Sequence, residues 1–422
     1  MRTNNTIGEG KSDDGDGALG STPHPRRDMV LGAALVLIVC YTLFEPKLWR
    51  PDTTFTIIHN VQIAEAQAWW AGRADLPHRE WDTAVRDGRV YSYFPPMFSF
   101  ISACIVPLFD GVPHLVPVCL VLAVVLCAYG LFCRLTSSPV WGAMLTIGYV
   151  CGTSMWPVIT KSIQACTPYG INHLLASLGV LLMLTTYFGG RRILPAAIGL
   201  VMAAWSRQLT LAYALPLAFL AVRWAGSDGR RGRKARMIVA AASVVMVIAV
   251  NMGLNTLKFG DPFTSGYMLN HVGRDDVFAR EARTYGLLSP HWVPRNLYYM
   301  NIGLPTVHRV EMAGETITRV RPNTMGTGIW WTTPLLIWVL IGLPRLLKDP
   351  GSRVWLIGVA ALCGVMMFWH ATGAVQRGFN RYSLDYMPVL FALVAPTCFG
   401  GRRRWVSLAM IAWGVVYFRW LI

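Results

Sequence analysis

Asp52, His59, Glu65 and Asp82 are the groups in the first hundred residues best suited to act as a base. A carboxylate held at the edge of an apolar environment gains basicity and can take the proton of an attacking hydroxyl. Lys161, Arg207 and Arg381 carry the opposite charge, and a guanidinium fork matches two oxygens of a phosphate. Arg207 stands between two apolar runs, where a charge is costly and marks either a site or an interior ion pair. Its partner in the second case is Asp385 or a helix-end carbonyl, and Asp385 also lies one helical turn after Arg381. Tyr91, Tyr93 and Tyr267 offer ring faces and hydroxyls to a substrate. The bland alternative for the acids is that Asp52 caps a helix and Glu65 faces solvent.

The elements that must position these groups are apolar. Of 422 residues, 54% are hydrophobic and 14% charged, and the mean hydropathy is +0.42. Runs such as 29–44, 115–132, 238–254 and 406–421 are apolar all round, so lipid and neighbouring helices must cover them. The net charge of +16 is carried by short basic clusters between apolar runs: Arg26-Arg27, Arg191-Arg192, 230–236, Arg345 with Lys348 and Arg353, and 402–404. That pattern fits cytoplasmic loops under the positive-inside rule, and without interleaved aromatics it does not fit nucleic-acid binding. The cysteines are scattered through apolar runs without metal-ligand spacing, which makes them small hydrophobes. Residues 1–28, rich in Gly, Ser, Asp and Pro, are expected to be a disordered cytoplasmic tail.

The expected architecture is an all-α integral membrane protein with about eleven transmembrane helices over residues 29–422. The spans are 29–44, 114–133, 140–156, 169–188, 193–206, 209–224, 237–254, 329–345, 354–369, 386–400 and 405–421. The run 97–109 follows Pro95-Pro96 and is too short to cross, so it should be a re-entrant or interfacial helix. This choice puts every basic cluster inside and the loops 45–93, 255–327 and 370–385 outside. The turns at 161–164 and 206–208 join them on that face. Residues 55–70 read as an amphipathic helix at the interface with Trp69 and Trp70 as belt residues. Asp87-Gly88 reads as a turn ahead of a strand-like run at 91–94.

Four segments carry a family resemblance. Residues 66–96, ending in DGRVYSYFPP, look like the first extracytoplasmic loop of bacterial membrane glycosyltransferases of the C-type (GT-C) superfamily, related to protein O-mannosyltransferases and aminoarabinose transferases. AAWSRQLTLAYALP, ending at Pro216, is similar to the family helix with a mid-membrane arginine. NTLKFGDPFTSGY (255–267) resembles its "N…FGxPxxxGY" element, and GFNRYSLDYMP (378–388) its "R(Y/F)xxDxxP" element. The set spans most of the chain in the expected order.

The resemblance implies transfer of a sugar from a polyprenyl-phosphate donor to an extracytoplasmic acceptor (glycan, lipid or protein) in the bacterial inner membrane, with inversion. Arg207, Arg381 and Lys161 would face the donor phosphate, and His59, Tyr91, Tyr93, Tyr267 and Asp385 the sugar or acceptor. Members of the superfamily carry an acidic residue, frequently a pair, at the start of the first loop. This chain has Asp52 followed by Thr53-Thr54, so the base is Asp52 or is displaced to Glu65 or Asp82. The dispersed acids form no metal cage, leaving room only for a single Mg or Mn held partly by substrate. The rivals are a transporter or lipid flippase, for which an internal repeat is expected but not seen, and a non-catalytic envelope-assembly scaffold.

Overall fold

The computed structural model describes residues 25–43, 53–56, 59–79, 82–189, 192–223, 229–272, 274–312, 315–373 and 380–421. These are mostly helical, with three two-stranded antiparallel sheets among the described residues. The tail lies outside the described residues except for Pro25 to Asp28, which begin the first helix, Pro25–Leu43.

Among the described residues four helices are long and apolar enough to cross a membrane: Leu115–Thr136, Pro168–Gly189, Arg231–Phe259 and Pro350–Met367. A fifth is obtained if Pro139–Cys151 and Met155–Ala165, bent by 65°, count as one span. The protein is thus helical and membrane-associating, with four or five such spans among the described residues rather than the expected eleven. The apolar runs are there; the backbone breaks them. At Arg207 the chain turns extended (φ −143°, ψ 97°) and continues as a 3-10 helix, leaving Ile193–Ser206 short. The run 329–345 is cut at Thr333-Pro334, since proline cannot donate its missing N–H to the preceding turn. The run 386–400 keeps only the helix Met387–Val394. Broken backbone at this depth must find internal partners. Thr210 Oγ1 bonds the Arg207 carbonyl at 2.7 Å, Tyr213 Oη the Asp385 carbonyl at 2.9 Å, and Thr333 Oγ1 the Gly152 carbonyl at 3.3 Å.

Helices Pro168–Gly189 and Ile193–Ser206 pack closely because glycines face each other. A Cβ at Gly179 would sit 2.4 Å from the Gly199 carbonyl oxygen, and one at Gly199 2.5 Å from that of Gly179. Helix Arg231–Phe259 instead turns Ile238 and Val245 outward, 67% and 63% exposed, as a lipid-facing helix does.

Three local expectations need correction. Residues 55–70 are not one amphipathic interfacial helix. Phe55 belongs to a short strand paired with 112–113, and the helix is Val61–Trp70, capped by Asn60, with Val61 to Ala66 all buried. An amphipathic surface helix would leave one face in solvent, and Glu65 does not face it. The segment 161–164 is not a turn but part of helix Met155–Ala165. The run 97–109 forms the short helix Met97–Phe109, and the turn at Asp87-Gly88 forms as read, but the strand after it is 89–92 rather than 91–94 and pairs with 83–86. Asp87 and Gly88 take φ of 51° and 73°, the left-handed pair that a two-residue hairpin turn requires.

The described residues of the loop 255–327 form regular elements. Helix Arg231–Phe259 runs into it, and short helices and the hairpin Thr306–Met312/Glu315–Arg321 follow. It is tied to the end of Pro350–Met367. Asn296 Nδ2 donates to the carbonyls of Met366, Met367 and Trp369, Ser289 N to Phe368 O, and His370 N to Leu287 O.

Candidate functional site

The break after Ile193–Ser206 exposes Arg207 to the segment that opens the helix Met387–Val394. Arg207 grips Asp385 with two nitrogens: Nε lies 3.1 Å from both carboxylate oxygens and Nη2 2.9 Å from Oδ2. His173, from the apolar helix Pro168–Gly189, places Nδ1 3.2 Å from Asp385 Oδ1. Asp385 and His173 are fully enclosed, while the Arg207 side chain keeps 18% of its surface. The interior ion pair foreseen for Arg207 is therefore present, and it is Arg207 rather than Arg381 that takes Asp385.

That remaining surface lines a cavity of about 300 Å³. Arg207, Gln208, Ser265, Tyr267, Tyr382 and Trp369 are its polar and aromatic lining; Leu209, Leu287, Leu288, Val365 and Met366 are its apolar lining. Tyr382 lies under the Arg207 guanidinium at 5.0 Å, and Trp369 meets Tyr267 edge to face at 5.6 Å. Arg381 stacks over Tyr169 at 4.9 Å and Tyr382 at 5.5 Å, and its Nε is buried with no hydrogen-bond partner among the described residues.

Asp82 joins this cluster through two aromatic rings. Tyr93 Oη donates to Asp82 Oδ1 at 3.3 Å, and the Tyr93 ring lies 4.7 Å from that of Tyr267 on the cavity wall. Burial pushes the Asp82 carboxyl above the usual carboxylate range, opposed by the positive charges of Arg381 and Arg274 and by the Tyr93 hydroxyl. Asp82 is thus a partly buried acid with a raised pKa, linked through Tyr93 to Tyr267 on the lining of the cavity that holds Arg207.

Other foreseen residues lie elsewhere. Glu65 is sealed off, bonded to Lys258 Nζ and receiving Ser99 Oγ at 2.5 Å. Lys258 also donates to Ser92 O at 3.1 Å, which fastens helix Arg231–Phe259 to the hairpin. Tyr91 is buried edge to face on Phe259 at 5.7 Å. His59 is exposed, with Nδ1 accepting from Thr56 N at 3.2 Å and its ring on Phe55. Lys161 is half-buried on helix Met155–Ala165, which packs against the Arg381–Asp385 turn. Asp52 lies outside the described residues. Among the described residues no group of three or more His, Cys, Asp or Glu could hold a metal ion.

The sequence reading missed His173, Trp369 and Tyr382. A histidine inside an otherwise apolar helix is the signal that would have found the first, since an ionisable group there seeks a partner. Trp369 and Tyr382 resemble ordinary belt aromatics until the loops fold.

No family model matches the chain, and no curated protein is significantly similar to it.

Proposed function

We propose that the protein is a polytopic membrane glycosyltransferase, transferring a sugar from a polyprenyl-phosphate donor to an acceptor hydroxyl by an inverting displacement. The observation that carries this reading is the mixed lining of the cavity, in which an arginine and aromatic rings occur together with leucine, valine and methionine. An amphipathic donor matches it: phosphate against Arg207, sugar on Tyr267 and Trp369, isoprenoid along the apolar side chains. Asp385 uses Nε and Nη2 of Arg207, which leaves Nη1 for a phosphate oxygen. Arg381 adds a second cation.

In the step we assign, Asp82 takes the proton of the acceptor hydroxyl as its oxygen attacks the anomeric carbon. The bond from that carbon to the phosphate oxygen breaks, and the lipid phosphate leaves with its charge stabilised by Arg207 and Arg381. Because the Glu65 carboxylate is consumed by Lys258 and Ser99, Asp82 is the better base of the two. The active face is assigned to the extracytoplasmic side of the bacterial inner membrane. In support, the basic residues Arg345 and Arg353 lie at the opposite end of Pro350–Met367 from the cavity. Ser352 and Met366 on that helix are roughly 20 Å apart along its axis.

Transport is the second reading, favoured by the helix bent by 65° and by the break at Arg207, since discontinuous helices also line carrier sites. The test offers the purified protein a panel of radiolabelled polyprenyl-phosphate sugars, in detergent and in proteoliposomes. Glycosyl release from one donor supports the transferase. Movement of intact donor across the bilayer without cleavage supports transport instead.

A further inference from the structure

A second cavity, of about 220 Å³, lies where helices Ile337–Lys348 and Pro350–Met367 meet. Its lining includes the apolar Trp338, Leu346, Leu393 and Pro396 and the polar Arg345 and Ser352. Its wall is fixed: Trp338 Nε1 donates to Ser407 Oγ at 3.0 Å, and Ser407 Oγ to Cys398 O at 2.6 Å. Asp349 also borders the cavity, but its carboxylate caps helix Pro350–Met367, accepting from Ser352 N at 2.7 Å and Ser352 Oγ at 2.8 Å. These bonds hold Asp349 ionised, below the usual carboxylate range.

Arg345 is exposed on the lining of the cavity. Arg403 adds a second cation, 5.6 Å over the Trp338 ring. Against Asp349 alone, the two arginines leave the cavity mouth positive, and Lys348, Arg353, Arg402 and Arg404 adjoin it in sequence. Beside it Ile341 and Leu347 are 57% and 45% exposed, an apolar surface for lipid.

We propose that this cavity binds the head group of an anionic phospholipid, with its phosphate on Arg345 and Arg403 and its acyl chains along Ile341 and Leu347. A soluble phosphate would leave that apolar border uncovered. A choline lipid would bring its ammonium against the arginines. The site is independent of the transferase reading, because it lies at the other end of Pro350–Met367 and shares no lining residue with the first cavity.

The experiment is native mass spectrometry of the full chain released from mixed micelles of phosphatidylglycerol and phosphatidylcholine, with sn-glycerol phosphate as a separate probe. Retention of phosphatidylglycerol is expected to exceed that of phosphatidylcholine about tenfold. The R345Q/R403Q variant should lose that preference, while K348Q/R353Q should keep it. Equal retention of the two lipids, a preference that survives R345Q/R403Q, or glycerol phosphate binding as well as the lipid would each overturn the proposal. Arg345→Gln alone, at an exposed position, gives the same readout should the double variant fold poorly.

Discussion

Two buried ion pairs join distant segments of this protein, and they end differently. Glu65 and Lys258 are 0% and 4% exposed, and Ser99 and the Ser92 carbonyl bond them further inside the protein. Asp385 and Arg207 are joined just as firmly, yet Arg207 keeps 18% of its surface on a cavity. A buried charge pair is weak evidence of function, because its Coulomb gain is largely offset by desolvation. Unused bonding capacity facing empty space separates the second pair from the first.

The largest effect is expected where both roles coincide. Arg207→Ala should leave the buried Asp385 with only His173 beside it, lowering stability by about 3–5 kcal/mol in thermal or denaturant unfolding, and should also abolish donor cleavage. Glu65→Gln should lower stability by a similar order, about 3–5 kcal/mol, by stranding the Lys258 ammonium. Turnover per folded molecule should persist. If both variants lose stability and neither loses turnover, the contrast between the pairs fails.

Asp82→Asn sharpens the contrast from the other side. Turnover should fall about 10²–10⁴-fold with the melting temperature nearly unchanged, as removal of a general base does. In the native chain the rate should climb with pH through an ionisation above the usual carboxylate range, because only the deprotonated Asp82 accepts a proton. Stability moves the other way: a carboxyl with a raised folded-state pKa loses its contribution as pH rises through that value.

A smaller effect is expected at the junction of the long loop and the end of Pro350–Met367. His271 and His370 bring their Nε2 atoms to 3.3 Å, among Arg274, Arg283, Arg295, Asp276 and Glu281. Burial lowers both imidazoles, His370 to about 3. Depressed histidines favour the neutral folded state, so stability should be full above the unfolded value of about 6.5 and fall as pH drops toward 3. Hydrogen exchange in 260–300 against pH checks this. A flat profile would remove the latch between cavity-wall segments. Smallest is Gly88→Ala, which meets no neighbour within 4 Å but forces alanine to φ 73°; the cost should be about 1–2 kcal/mol in unfolding.

How much of this was legible depended on the range of the interaction. The Asp87-Gly88 turn and the short helix after Pro95-Pro96 depend on local backbone chemistry, and both form as read. Arg207 could be singled out because a cation between apolar runs demands a partner, and Asp385 was among the partners considered. The span count was not legible, because hydropathy reports apolar length while Thr333-Pro334 and the extended Arg207 decide continuity. Glu65 misled for a long-range reason. Its partner Lys258 is far away in sequence, and nothing within the helix Val61–Trp70 marks it as buried. His173 and Trp369 gain meaning only once distant segments meet around the cavity.

The most direct measurement is turnover of a radiolabelled polyprenyl-phosphate sugar by purified Asp82→Asn and Glu65→Gln variants, each normalised to its folded fraction. Loss of glycosyl transfer in Asp82→Asn with native turnover in Glu65→Gln is the expected result. Native turnover in Asp82→Asn, or loss confined to Glu65→Gln, would contradict a site built on the Arg207 cavity.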